Sequence, residues 1–174
     1  MSPIVTERLI LRRPRPADLE DVLAYRNHPS LVPPQRMADE AAITLLKTQA
    51  GLDPKQADCW LMLAVEHRQQ RQVIGEVGVF LSHRNAHGDL GWIIHPEHQG
   101  AGLATEAARA LVTTAFTDHA LHRLTACCDQ RNVASWRVME RLGMRREGTF
   151  LQSHRTAEGW QDEFLYALLR DEWR

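Results

Sequence analysis

The residues best suited to chemistry lie between positions 92 and 107. There Trp92-Ile93-Ile94-His95-Pro96-Glu97-His98 runs into Gln99-Gly100-Ala101-Gly102-Leu103-Ala104 and on into Thr105-Glu106-Ala107. An apolar strand entering a Gly-rich turn at the head of an Ala-rich helix aims bare backbone N–H groups, and the positive end of the helix dipole, at an anion. A dinucleotide site wants Gly-x-Gly-x-x-Gly, but Thr105 stands at the third glycine position, and the Gly-Lys-Ser/Thr of a P-loop is absent. What remains is Gln99-x-x-Gly102-x-Ala104, with small residues where a pyrophosphate has to approach the backbone closely. The plainer reading of such a sequence is a tight turn whose glycines serve packing.

The neighbouring motifs separate the two readings. Downstream, Asn132-Val133-Ala134-Ser135 leads through Trp136-Arg137-Val138-Met139-Glu140-Arg141-Leu142 to Gly143-Met144. The two stretches together resemble the signatures of the GNAT acetyltransferase superfamily. The first is its acyl-CoA turn, Arg/Gln-x-x-Gly-x-Gly/Ala; the second is Asn-x-x-Ser/Ala followed by a helix that ends in Gly and an apolar residue. Thr6-Glu7-Arg8-Leu9-Ile10-Leu11-Arg12, Asp18-Leu19 and Tyr25-Arg26-Asn27 at the front are similar to the opening of one branch, the ribosomal-protein alanine and serine N-acetyltransferases. Gly159-Trp160-Gln161-Asp162, Tyr166-Ala167-Leu168-Leu169 and Glu172-Trp173 are similar to its ending. The resemblance runs through nearly the whole chain, in order.

It implies a single α/β (α+β) domain over residues 1–174, with a mixed central sheet of about seven strands splayed at the acyl-CoA site and about four flanking helices. It also implies direct transfer of acetyl from acetyl-CoA to a primary amine, without an acyl-enzyme or a metal. A protein N-terminal α-amine is the first acceptor it suggests. Amino acids, polyamines and aminoglycosides are the small-molecule alternatives, and a non-catalytic acyl-CoA sensor is the alternative of another class.

The chemistry sets the roles. An amine must lose its proton before it attacks a thioester, so the site needs a base or a water path. Negative charge on the carbonyl oxygen calls for a fixed N–H donor, and the leaving thiolate takes up a proton. The resemblance gives the strand at 89 to 94, ending at Ile94, the pairing with pantetheine and the oxyanion donor. It gives Gln99, Gly100, Ala101, Gly102, Leu103 and Ala104 the pyrophosphate, and Asn132 the pantetheine arm. Asp89 occupies the place where many relatives carry a glutamate that acts as base through water. Ser135 takes the role of proton donor, because the tyrosine that serves many relatives is replaced here by Met139. Residue types alone leave a second reading for each: Asp89 as a cap on the turn from Asn85 to Gly88, Ser135 as a first-turn residue, Asn132 as an N-cap. Glu76 is an alternative base, His95 or His98 an alternative relay, and Glu158, Asp162 and Tyr25 are candidates for the acceptor side. The pairs His95-x-x-His98 and His83-x-x-x-His87 lack the Cys or carboxylate partners of a zinc pattern, so no metal is expected.

These residues need positioning elements, and the chain alternates strand and helix patterns. Residues 5 to 12, 60 to 66, 73 to 81, 90 to 94 and 121 to 128 read as strands, and 17 to 27, 38 to 50, 103 to 117 and 133 to 142 as helices. Two closing strands follow around Glu158-Gly159, and Pro33-Pro34 and Asp53-Pro54 read as loops within the domain. With 21 basic and 22 acidic residues the net charge is −1, which gives no footprint for nucleic acid or a membrane surface. No stretch reaches the roughly 20 apolar residues of a membrane span, and none at the front reads as a targeting signal. Three cysteines, two of them the adjacent Cys127 and Cys128, fit a reducing cytoplasm better than a disulfide framework. Apolar positions in the closing strands leave room for a homodimer.

Overall fold

A computed structural model describes residues 1–31, 36–55, 58–82, 84, 86–156 and 159–174. Pro33-Pro34, His83, Asn85 and Glu158, each used in the sequence reading, lie outside the described residues. In chain order the elements are β1 (Ile4–Val5), β2 (Leu9–Arg12), α1 (Leu19–Arg26), α2 (Asp39–Gly51), β3 (Cys59–His67), β4 (Gln72–Ser82) and β5 (His87–Ile94). Then come α3 (Leu103–Thr117), β6 (Arg123–Asp129), α4 (Val133–Arg141), β7 (Arg145–Thr156) and β8 (Gly159–Leu169). All eight strands form one mixed sheet in the order β1-β2-β3-β4-β5-β6-β8-β7. Among the described residues the single parallel pairing joins His87–Asp89 of β5 to Arg123–Thr125 of β6.

Two departures from the sequence expectation bear on the site. The strand expected over residues 5 to 12 is two strands, because the chain folds back between them: Val5 pairs with Ile10 and the Thr6 N–H donates to the Leu9 carbonyl at 3.0 Å. That turn releases Thr6 and Arg8 to reach α3, and it raises the count from about seven strands to eight. Strand β5 begins at His87, three residues before Leu90, so Asp89 is a strand residue and not part of a turn. Gly88 permits this extension. A Cβ there would meet Leu121, Leu124 and the Phe80 carbonyl at 2.8 to 2.9 Å, so only glycine lets β6 come alongside β5.

Apolar periodicity puts a core on each face of the sheet. Leu103, Ala107, Leu111 and Ala115 of α3 recur at helical spacing and bury against Val77 and Val79 of β4 and Leu90 and Ile94 of β5. Val22 and Tyr25 of α1 and Ala42 and Leu46 of α2 cover the other face against Ala64 and Val73. Cys127 and Cys128 alternate as strand neighbours must: Cys128 joins the α3 core, and Cys127 is exposed on the opposite face. Among the described residues no helix is long and apolar enough to cross a membrane.

The lead-in to α1 is fixed by a buried charge cluster. The Arg12 guanidinium donates to both Asp18 oxygens at 2.8 Å and to Glu66 at 2.6 Å, and the three side chains are 7 to 12% exposed. Removing the cation leaves two carboxylates buried without compensation, a loss of about 3–5 kcal/mol. Arg12→Met is therefore expected to lower the unfolding free energy by about that amount in urea titration, with Arg12→Lys intermediate because it cannot form the fork.

Candidate active site

The site begins where β5 and β6 part. After Asp89 and Thr125 their pairing stops, while β5 stays joined to β4 as far as Ile94 and β6 stays joined to β8 as far as Asp129. The His95 N–H donates to the Ile74 carbonyl of β4 at 2.8 Å. Backbone groups alternate along a strand, so the N–H and C=O of Ile94 and Trp92 point the other way, into the gap. Gln99 Nε2 holds the Ile94 carbonyl at 2.8 Å, which leaves the remaining edge for a ligand. The gap opens into a cavity of about 830 Å³, walled by Gly91, Trp92, Ile93 and Ile94 on one side and Cys127, Cys128 and Asp129 on the other. That volume suits a large small-molecule ligand.

At one mouth the Gly-rich turn meets α3. Gly100 and Gly102 adopt φ of +78° and +80°, the left-handed region open to glycine, and Gly102 is the N-cap of α3. The Glu106 N–H makes the helix's first backbone bond, to the Gly102 carbonyl, so the N–H groups of Leu103, Ala104 and Thr105 have no intrahelical partner. The Thr105 hydroxyl is buried and lacks a hydrogen-bond partner among the described residues, and Thr105 lines the cavity. Three N–H groups without an intrahelical partner and a hydroxyl without a hydrogen-bond partner among the described residues fit the pyrophosphate of coenzyme A. Arg131, Arg137 and Arg141 also line the cavity, and their charge suits a polyphosphate.

The turn is held from behind by residues whose role the sequence reading missed. Arg8 Nε and N–H donate to Glu106 at 2.7 and 2.8 Å, the Thr6 hydroxyl donates to Glu106 at 2.6 Å, and Arg8 Nη1 donates to the Ala101 carbonyl at 2.8 Å. Burial pushes the Glu106 carboxyl up, but the bonds from Thr6 and Arg8 bring it below its ordinary value. Thr6 and Arg8 lie almost a hundred positions from Glu106, and nothing local in the sequence connects them.

The expected site residues largely converge. Ile94, Gln99, Gly100, Gly102, Leu103, Ala104, Asn132 and Ser135 all line the cavity. Ala101 does not: its carbonyl is turned back to Arg8. Asn132 is the N-cap of α4, its Oδ1 accepting from the Ser135 N–H at 3.1 Å, and it lines the cavity as well, so its two readings are compatible. The Ser135 hydroxyl meets no hydrogen-bond partner among the described residues, and Met139 is buried one turn further along. Asp89 stands at the closed end of the gap outside the cavity lining, with Oδ1 accepting from the Thr125 hydroxyl and its side chain 53% exposed.

Glu76 is not arranged as a base. It is buried, accepts from the Tyr25 hydroxyl at 2.7 Å and is ion-paired with Arg26, so Glu76 and Tyr25 anchor α1 instead of facing the cavity. Asp162 accepts from the Gln152 N–H at 2.8 Å, out on the hairpin of β7 and β8. His98 lines the cavity, and burial, aided by His95 and His67, lowers its imidazole. Glu163, Cys127 and His154 line the side opposite α3, where no motif had pointed. Burial pushes the Cys127 thiol up and the Cys128 thiol up to about 12. Among the described residues no group of three His, Cys, Asp or Glu side chains converges as a metal site.

Comparison with known proteins agrees with this geometry. Residues 8–145 match the family model described as acetyltransferase (GNAT) domain. The chain is 32% identical over 171 residues to the uncharacterized N-acetyltransferase YnaD of Bacillus subtilis, covering 98% of each protein. A GNAT-family acetyltransferase from Bacillus anthracis superposes with a TM-score of 0.86 at 28% identity, covering 98% of this chain and 100% of that one. The ribosomal-protein-S5-alanine acetyltransferase from Vibrio fischeri shares the fold, with a TM-score of 0.85 at 23% identity over the full length of both chains.

Two substitutions test the cofactor end. Thr105→Val removes a hydroxyl that has no hydrogen-bond partner among the described residues, so the unliganded melting temperature should hold or rise. The acetyl-CoA Kd, measured calorimetrically, should increase by about 5- to 10-fold, the size of one hydrogen bond. Arg8→Met should weaken acetyl-CoA binding about tenfold or more while changing kcat much less, with partial recovery in Arg8→Lys.

Proposed function

This chain belongs to the GNAT family of acetyl-CoA-dependent N-acetyltransferases, and from that premise we propose that it transfers acetyl directly to the α-amine of a protein N-terminus. The observation that carries the reading is the meeting of three features on one cavity. They are the edge of β5 beyond its pairing with β6, the α3 N–H groups that lack an intrahelical partner, and a Ser135 hydroxyl without a hydrogen-bond partner among the described residues. The likeness of residues 6–12 and of the closing strands to the ribosomal-protein branch supports the α-amine as acceptor.

Acetyl-CoA supplies an activated acetyl group on a thiol leaving group, and this chain's residues do the rest. The backbone N–H groups of Leu103, Ala104 and Thr105 hold the pyrophosphate, and Asn132 and the edge of β5 hold the pantetheine arm. A β5 N–H stabilises the charge that develops on the acetyl oxygen, where loss of such a donor typically costs about 10²-fold or more. The acceptor nitrogen forms its bond to the acetyl carbon as the carbon–sulfur bond breaks, and the Ser135 hydroxyl gives the departing sulfur its proton, which solvent then replaces. Asp89, at the closed end of the gap, draws the amine's proton away through water. Holding amine and thioester together supplies much of the remaining rate, up to roughly 7–11 kcal/mol.

The test is thiol release from acetyl-CoA with peptides beginning in Ala or Ser, polyamines and aminoglycosides. Ser135→Ala should lose about 10²-fold in kcat with the acetyl-CoA Kd changed less than about twofold. Turnover confined to polyamines or aminoglycosides would replace the acceptor. Absence of turnover with every amine, while acetyl-CoA still raises the melting temperature, would make the chain an acyl-CoA-binding module.

A further inference from the structure

The sheet face opposite α3 carries a feature that cofactor binding does not use. Gly78 of β4 and Gly91 of β5 are directly paired, which leaves a bed two strands wide beside the gap on which a large side chain can lie. Trp60 of β3 leans over it. A Cβ on Gly91 would meet the indole at 3.8 Å and one on Gly78 would meet it at 3.6 Å, so the ring reaches across two strand spacings, about 10 Å, to the cavity wall. The indole is 43% exposed, although a tryptophan ring is among the most favourable groups to bury. Its backbone is fixed, because the Gln49 amide, itself buried, donates to the Trp60 carbonyl and accepts from the Met62 N–H, both at 2.9 Å. Phe80, the cross-strand partner of Trp60, tilts against it with ring centroids 5.9 Å apart.

Carboxylates stand around this aromatic wall. Asp89 pairs with Phe80 across β4 and β5, and its Oδ2 meets no hydrogen-bond partner among the described residues. Across the gap Glu163 lines the cavity beside its own cross-strand neighbour Phe150, which is 44% exposed. Of the cations nearby, Arg131 is occupied by Asp129, and His87 lies by Thr125 and Asp89. A rigid indole seated on paired glycines with its outer face exposed, and two carboxylates next to the gap, are complementary to a cation with a flat apolar body.

We propose that the outer face of Trp60, seated on Gly78 and Gly91, is the wall of the acceptor subsite and that it selects a primary amine bearing an aromatic ring on a short carbon arm, such as a peptide whose first residue is Phe or Tyr. The ring lies against Trp60 and Phe80, and the ammonium lies toward Asp89 and Glu163, which places the nitrogen at the open edge of β5. A polyamine offers no flat surface to this wall, and a small first side chain leaves it uncovered. This assignment rests on the acetyl-transfer reading above.

Binding and turnover separate the two. With CoA bound, so that no acetyl can move, calorimetric titration should show 2-phenylethylamine binding at least tenfold tighter than butylamine. Trp60→Leu should abolish that difference and Trp60→Phe should keep most of it. The acetyl-CoA-induced rise in melting temperature should be the same in all three proteins, which reports that the variants are folded. In thiol-release assays a Phe-first peptide should exceed its Ala-first counterpart at least tenfold in kcat/KM, again only with an aromatic residue at position 60. Equal affinity for the two amines, or a preference that survives Trp60→Leu, overturns the subsite. Thiol release with Ala-first peptides or spermidine and no aromatic preference leaves acetyl transfer standing and removes the subsite. An aromatic binding preference with no thiol release from any amine does the reverse.

Discussion

A strand edge inside a protein has to find hydrogen-bond partners, and the edge of β5 between Leu90 and Ile94 has lost those that β6 would supply. The cause lies in how each half of the sheet is fastened. One half is locked through β4 along the whole of β5, and the other through β8 along the whole of β6, from Arg123 to Asp129. Between the halves there are three residue pairs, drawn together at Gly88 and tied at the apex by the Thr125 hydroxyl on Asp89. Gly75 secures the far end of β5, since any side chain there would collide with the Ile93 carbonyl. Two rigid half-sheets that share only a base must diverge, and the backbone groups left in the gap form a preorganised site.

The second mouth of that gap depends on aim more than on charge. A helix dipole contributes typically about 0.3–1 kcal/mol to a nearby anion, whereas one hydrogen bond to a charged group contributes about 1.5–3 kcal/mol. The orientation of the N–H groups therefore counts for more than the field behind them. Two left-handed glycines set that orientation, and Arg8 fixes it by drawing the Ala101 carbonyl away from the cavity. Glu106 both makes the first backbone bond of α3 and receives Thr6 and Arg8, so the first hairpin of the chain is tied directly to the head of α3.

On the other face the helices leave part of the sheet open. Tyr25 and Arg26 seat α1 on Glu76, and Gln49 closes the edge of β3 where β2 has ended. Beyond α2, Trp60 and Phe80 stand on this face of the sheet with their rings tilted together. In the proposed reaction cofactor and acceptor approach the gap from opposite faces, and the two halves of the sheet keep them in register.

Much of the cofactor end was legible in the sequence because its logic is local. Gln99 to Ala104 states its own turn, and Asn132 states its own N-cap three residues before Ser135. The helix spacing in residues 103 to 117 states which side faces the sheet. The acceptor end was hardly legible. Glu163, Cys127 and His154 come from separate strands with no shared motif, and Trp60 gains its place only because Gly78 and Gly91 happen to be opposite each other. Asp89 and Glu76 were equal candidates as letters; tertiary placement put one at the apex of the gap and sealed the other in an ion pair. The sequence by itself determined most of the elements, the Gly-rich turn at the head of α3 and the family, since these rest on contacts within a few residues. The splay of β5 from β6, the grip of Arg8 on the turn and the seat of Trp60 on Gly78 and Gly91 were decided by the tertiary structure alone, because each depends on which distant strands lie side by side.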